Sequence, residues 1–131
     1  MKKVLMIVAL LLPSFAYAAP LTGVFQTEPG DEGRVLHVGM APCADDAALT
    51  CGTILRAYKA DGTANTEYEH LGKPIVWAMS DGGNGKWGGG KIWAPDRDKT
   101  YTSKMSMNGN MLQVKGCVAF ICRTQNWVPV P

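Results

Sequence analysis

Long apolar runs, net charge, histidine and helical periodicity are all scarce in this 131-residue chain. Its longest apolar run, Val4 to Leu12, is nine residues, too few to cross a bilayer core. Of the 13 basic residues, Lys2 and Lys3 lie in an N-terminal stretch that reads as a targeting leader. Without them basic and acidic residues are equal in number, for a net charge of zero. A neutral chain offers no electrostatic footprint for nucleic acid or an anionic membrane. Only two histidines, His37 and His70, are available for acid–base work, and no G-x-S-x-G is present. No catalytic residues and no cofactor are therefore expected. The length suits one ordinary domain and excludes a large two-domain enzyme.

The leader has three recognisable parts. Lys2-Lys3 is the charged region, Val4 to Leu12 the apolar one, and Ala16-Tyr17-Ala18 supplies small residues for a peptidase pocket. This predicts a signal peptide over 1–18, cleavage at Ala18-Ala19 and a mature chain over 19–131, periplasmic or secreted. No cysteine follows the cleavage point, so a lipid anchor is not expected.

Export makes the cysteines interpretable. Cys43, Cys51, Cys117 and Cys122 are an even number, and two disulfides are the default in an oxidising compartment. Three pairings exist; the local one, Cys43 with Cys51 and Cys117 with Cys122, is preferred. On a continuous strand the second pair would lie roughly 16 Å apart, against about 5.5 Å for a disulfide. Local pairing therefore needs a turn within 118–121. Zinc is the rival reading, but only the Cys117/Cys122 spacing approaches its usual pattern, and no metal site is expected.

Glycine and proline are plentiful in the mature chain, and short alternating runs separated by turn signals dominate it. Strands are predicted over 22–27, 34–40, 52–58, 74–79, 91–94, 100–107, 111–118 and 122–130. Asn108-Gly109 is the clearest hairpin signal. Pro95-Asp96-Arg97-Asp98 reads as a tight turn and 81–85 as a longer one. In 100–107, Tyr101, Met105 and Met107 share one face. In 111–118, Leu112, Val114, Gly116 and Val118 do the same. Eight such strands form an all-β antiparallel meander, and closing it into a barrel removes its exposed edges. A barrel of eight is just wide enough to fill with side chains or to hold one small ligand. The segment 63–72 breaks the alternation and reads as a loop or flap at the barrel mouth.

Several motifs dissolve on inspection. Gly83-Asn84-Gly85-Lys86-Trp87-Gly88 matches G-x-G-x-x-G, but Gly89, Gly90 and Pro95 follow where a phosphate-binding helix would have to open. Six glycines between 82 and 90 instead suit a bent, bulged strand at a barrel corner. Asp45, Asp46, Asp81, Asp96 and Asp98 lie in turns, where solvated turn duty explains them. Met105, Met107 and Met111 invite a Cu(I) reading through soft thioethers, set against their use as core fillers. Trp77, Trp93, Tyr101 and Trp127 fall on or beside strands and are the candidates to line an apolar pocket.

Together these residues resemble the bacterial domain of unknown function 2147, a family of small exported proteins. The resemblance spans most of the mature chain. It is strongest at Trp87-Gly88-Gly89-Gly90-Lys91-Ile92, from Pro95 to Thr100-Tyr101, and at Leu112-Gln113-Val114-Lys115-Gly116-Cys117-Val118 leading into Cys122-Arg123-Thr124-Gln125-Asn126-Trp127. Cys51-Gly52 and Leu71-Gly72 also fit. The resemblance implies a lipocalin-like β-barrel and no settled activity. One departure stands out: where the family's first strand reads G-x-W, with the Trp closing the barrel base under an Arg of the last strand, this chain has Gly23-Val24-Phe25. The resemblance implies that Phe25 stacks on Arg123 instead.

The expected function is a small exported barrel that binds a small apolar or amphipathic ligand. The alternatives are an envelope interaction module using its glycine-rich strand or its flap, an enzyme, and a Cu(I) carrier. A histidine lying in a pocket beside a carboxylate would favour the enzyme.

Overall fold

The computed structural model describes residues 7–9 and 20–131. The leader expected over 1–18, with its cleavage point, falls almost wholly outside the described residues. The strands are β1 (Gly23–Gln26), β2 (Val35–Pro42), β3 (Thr50–Tyr58), β4 (Pro74–Gly83), β5 (Lys86–Ala94), β6 (Lys99–Asn108), β7 (Met111–Val118) and β8 (Ile121–Pro129). Each pairs antiparallel with the next, and β8 returns to β1, so the meander closes into a barrel. Among the described residues no helix is long and apolar enough to cross a membrane.

All eight expected strands form. The largest difference is β5, which starts at Lys86 rather than 91 because the glycine run lies inside the strand pair. The register slips between Asp81 and Gly83 on one side of β5 and between Trp87 and Gly90 on the other. Gly90 shows why glycine is needed there: a Cβ at that position would press on the Met79 sulfur and the Trp77 carbonyl oxygen. The hairpin chemistry also redistributes. Asn84 and Gly85 both have positive φ, as a type I′ turn requires, so the tightest Asn-Gly turn joins β4 to β5. In the β6–β7 hairpin Asn108 pairs with Met111, and the loop is Gly109-Asn110, one residue later than the pattern suggested. Only Gly109 there has positive φ, as in a type II′ turn.

The topology gives the barrel a base and a mouth. The base carries the β2–β3 connection and the two tight hairpins. The mouth carries the long loops 27–34 and 59–73, the turn 95–98 and the β7–β8 hairpin. One disulfide sits at each end: Cys43–Cys51 at the base, Cα atoms 4.9 Å apart, and Cys117–Cys122 at the mouth, 4.1 Å apart. The second pair meets because the chain reverses through Ala119, which takes positive φ, making Cys117 and Cys122 cross-strand partners.

Alternation carries the core. Val38, Ile54, Val76, Met79, Leu112 and Trp127 have almost no exposure. Fully burying a side chain of this kind contributes roughly 1.5–3 kcal/mol. Met105 joins them and Met107 packs against them, whereas Met111, next to inward-facing Leu112, points the other way. The three thioethers therefore do not converge, which corrects the Cu(I) reading. Phe25 is buried near the base opposite Pro129. Arg123 lies six residues back along β8, roughly 20 Å away by strand rise, at the mouth. The expected stacking of Phe25 on Arg123 is thus corrected by the register: they occupy opposite ends of the barrel.

His37 sits on the outer face of β2, in register with Gln26 and Arg56, and is 8% exposed. Its Nε2 lies 3.0 Å from Gln26 Oε1, its ring centroid lies 4.7 Å from that of Tyr58, and its Nδ1 is buried without a partner. Burial, and then the charge of Arg56, holds its pKa below the ordinary 6.5. A depressed pKa means that the folded state resists protonation. The stabilisation is complete above pH 6.5 and is lost as pH falls through the lower folded value.

Two outcomes follow from this packing. Gly90→Ala lowers stability by about 1–3 kcal/mol, read from the urea midpoint at constant slope. Gly82→Ala, whose Cβ meets nothing closer than 3.5 Å, leaves the midpoint in place. The wild-type midpoint drops between pH 7 and pH 5, and His37→Gln flattens that drop; an equal drop in both proteins would contradict the assignment.

Candidate functional site

A cavity of about 590 Å³ opens at the mouth. The inward faces of β5 to β8 supply its main wall through Ile92, Tyr101, Val114 and Trp127, and Leu36 and Ile75 face them. Trp127, 1% exposed, forms part of the floor, and its indole Nε1 donates to Gln125 Oε1 at 2.9 Å. Trp93 borders the cavity too, but its indole is committed: Nε1 donates to Asp98 Oδ1 at 2.9 Å. Of the four aromatics expected to line a pocket, the structure thus brings Trp93, Tyr101 and Trp127 to one cavity. Trp77 is a correction. It stands opposite exposed Lys91, one position off the Val76–Ile92 pair, and the pleat carries it to the outer face.

The loops over the mouth are tied together by a residue that turn duty alone does not explain. Asp96 accepts the Asp31 backbone N–H at 2.9 Å and Arg34 Nη1 at 3.1 Å, joining the loop 27–34 to the turn 95–98. Gly30 permits this approach, since a Cβ there would run into the Asp96 carboxylate. Asp46 and Asp81 do serve local turns, accepting the N–H groups of Ala48 and Gly83. The partners of Asp96 lie 62 and 65 residues away, so no local pattern distinguished it.

The flap 59–73 is docked. Tyr68 is buried, the Arg34 guanidinium lies 4.9 Å from its ring centroid, and burial pushes its phenol pKa up. His70 wedges edge-on between Tyr68 and Trp93, at 5.2 and 4.9 Å. Lys73 Nζ lies 3.0 Å from His70 Nδ1, and an ammonium can only donate, so Nδ1 accepts and the ring proton sits on Nε2, 3.3 Å from Glu69 Oε1. His70 therefore meets the geometric condition set for an enzyme: it lines a second, polar cavity of about 510 Å³ with Glu67, Glu69 and Asp96. No serine, threonine or cysteine lines that cavity, and both ring nitrogens are engaged. The G-x-G-x-x-G stretch is the β4–β5 hairpin and opens no helix.

Three comparisons bear on this geometry. A family model described as "Uncharacterized protein conserved in bacteria (DUF2147)" matches residues 23–128. A solved structure described as "Protein HP1028 from the human pathogen Helicobacter pylori belongs to the lipocalin family" is similar to this chain, with a TM-score of 0.60 and 17% identity over 85% of this chain and 83% of that one. At that identity the likeness shows the fold. No curated protein matches.

Asp96→Ala removes two hydrogen bonds, one of them to a guanidinium, and lowers stability by about 1–2 kcal/mol. Amide exchange at Asp31 accelerates with it. Asp45→Ala, an exposed residue in the base connection, leaves both readouts unchanged.

Proposed function

This chain belongs to the family of uncharacterized proteins conserved in bacteria (DUF2147), and we propose that it is an exported carrier whose barrel takes a small apolar or amphipathic ligand through its mouth. The observation that carries this reading is the cavity. About 590 Å³ falls inside the usual range for small-molecule sites, roughly 300–1,000 Å³. Its wall of Ile92, Tyr101, Val114 and Trp127 offers apolar surface beneath a polar rim. Export is supported by the leader read in the sequence and by two disulfides, which persist in oxidising compartments.

A second reading, an envelope interaction module, is favoured by one feature. At the β7–β8 hairpin Phe120 is fully exposed, with Val118 and Ile121 more than half exposed beside it. The glycine-rich strand and the flap, the surfaces expected for such a role, are built into the barrel wall and docked over the mouth.

Titration with the neutral dye N-phenyl-1-naphthylamine separates the two readings. Saturable enhancement that Val114→Phe or Gln125→Trp abolishes, while cooperative unfolding persists, supports the carrier. Enhancement lost in Phe120→Ser but retained when the cavity is filled places binding at the hairpin and sinks it.

A further inference from the structure

The inner face of β8 reads Ile121, Arg123, Gln125, Trp127 from mouth to base, and all four line the cavity. A guanidinium and an amide thus sit on a face whose neighbours are apolar. Across the strand pair Arg123 stands opposite Gly116, which presents no side chain to it. A Cβ at Gly116 would lie 3.3 Å from Ile92 Cγ2 and 3.5 Å from Tyr101 Cβ. Arg123 therefore borders a wall built directly from the two apolar residues on the far side of that glycine.

Six charged residues line the cavity: Glu28, Asp31, Asp96, Arg34, Arg97 and Arg123. Their sum is zero, but they are not equally free. Arg34 and Asp96 neutralise each other at 3.1 Å, and Glu28 Oε2 accepts the Asn126 N–H at 3.0 Å, which holds that carboxylate at the seam without cancelling its charge. The guanidiniums of Arg97 and Arg123 have no ion-pair or hydrogen-bond partner among the described residues, and of the lining carboxylates only that of Asp31 is likewise without one. The Gln125 amide accepts from Trp127 through Oε1, which leaves its NH₂ group to donate into the cavity. The side chains left without a protein partner at the mouth are thus two cationic forks, an amide donor and the Asp31 carboxylate, above an apolar wall. A guanidinium is shaped for bidentate pairing with carboxylate or phosphate.

We infer that the ligand is an anionic single-chain amphiphile, its tail against Ile92, Tyr101, Val114 and Trp127 and its carboxylate or phosphate head at Arg123, with Arg97 as the second cation. This rests on the carrier reading above and adds the charge and placement of the head group. Arg123 is the specificity-determining residue.

The test holds chain length constant and varies the head: dodecanoate, dodecyl phosphate, dodecanol and dodecyltrimethylammonium, each below its micelle concentration, titrated into the 19–131 protein by calorimetry. At least one anion binds about tenfold tighter than dodecanol, and the cation binds weakest. Comparison of the two anions tells carboxylate from phosphate. In Arg123→Gln the anion-to-alcohol affinity ratio falls toward unity, and Arg97→Gln lowers it less; taking the ratio cancels any general loss of binding-competent protein. Equal affinities for dodecanoate, dodecyl phosphate and dodecanol, or a ratio unchanged in Arg123→Gln, overturn the head-group assignment while leaving the carrier reading standing. Silence from all four probes overturns both.

Discussion

The seam between β8 and β1 is the constraint on which the rest of the molecule depends. A meander of eight strands has two raw edges until its last strand meets its first. Here they meet over a short stretch: Phe25 opposite Pro129 and Gln26 opposite Val128, extended by the Val130 N–H to Val24 carbonyl bond. β1 has four residues and β8 has nine, so the hydrogen-bonded closure lies at the base. Above it the chain leaves the seam as the loop 27–34, and Glu28 supplies a further bond, to the Asn126 N–H. Closure at the base encloses a dry core. Its absence higher up leaves the interior of β8 open to water.

This asymmetry divides the barrel into two tiers. In the lower tier, inward positions such as Phe25, Val38, Met79 and Leu112 are buried and apolar. In the upper tier the same pleat places Arg123 and Gln125 inside, where they are exposed through the mouth. An arginine on an inner face would be costly in a filled barrel and is tolerable in an open one. The loops that frame the opening are held by specific ties rather than bulk packing: Asp96 to Arg34 and to the Asp31 amide, His70 against Trp93, and the Cys117–Cys122 bridge.

Much of the scaffold was legible because it is written in local patterns. Tyr101–Met105–Met107 and Leu112–Val114–Gly116 alternate with period two, and that period fixes which face is buried. The preferred local cysteine pairing required a turn within 118–121, and the chain does reverse there. Site assignments fared less evenly. Alternation put Tyr101 on the inward face, and both it and Trp127 line the cavity. Trp77 was not, because residue type says nothing about which face a bulged strand presents, and the register slips flanking the glycine run decide that. The Phe25–Arg123 pairing failed because distance along β8 separates base from mouth. Asp96 looked like an ordinary turn residue because its partners are more than sixty positions away.

By itself, then, the sequence determined the number of strands, their antiparallel order, the two staples and an interior of barrel size. These depend on short-range periodicity and turn chemistry, which a linear chain carries explicitly. Only the tertiary structure decided where the barrel stays open, which aromatics face the cavity and which charges remain uncommitted at its mouth. Those properties arise from strand register and from contacts between loops distant in sequence, and neither exists until β8 meets β1.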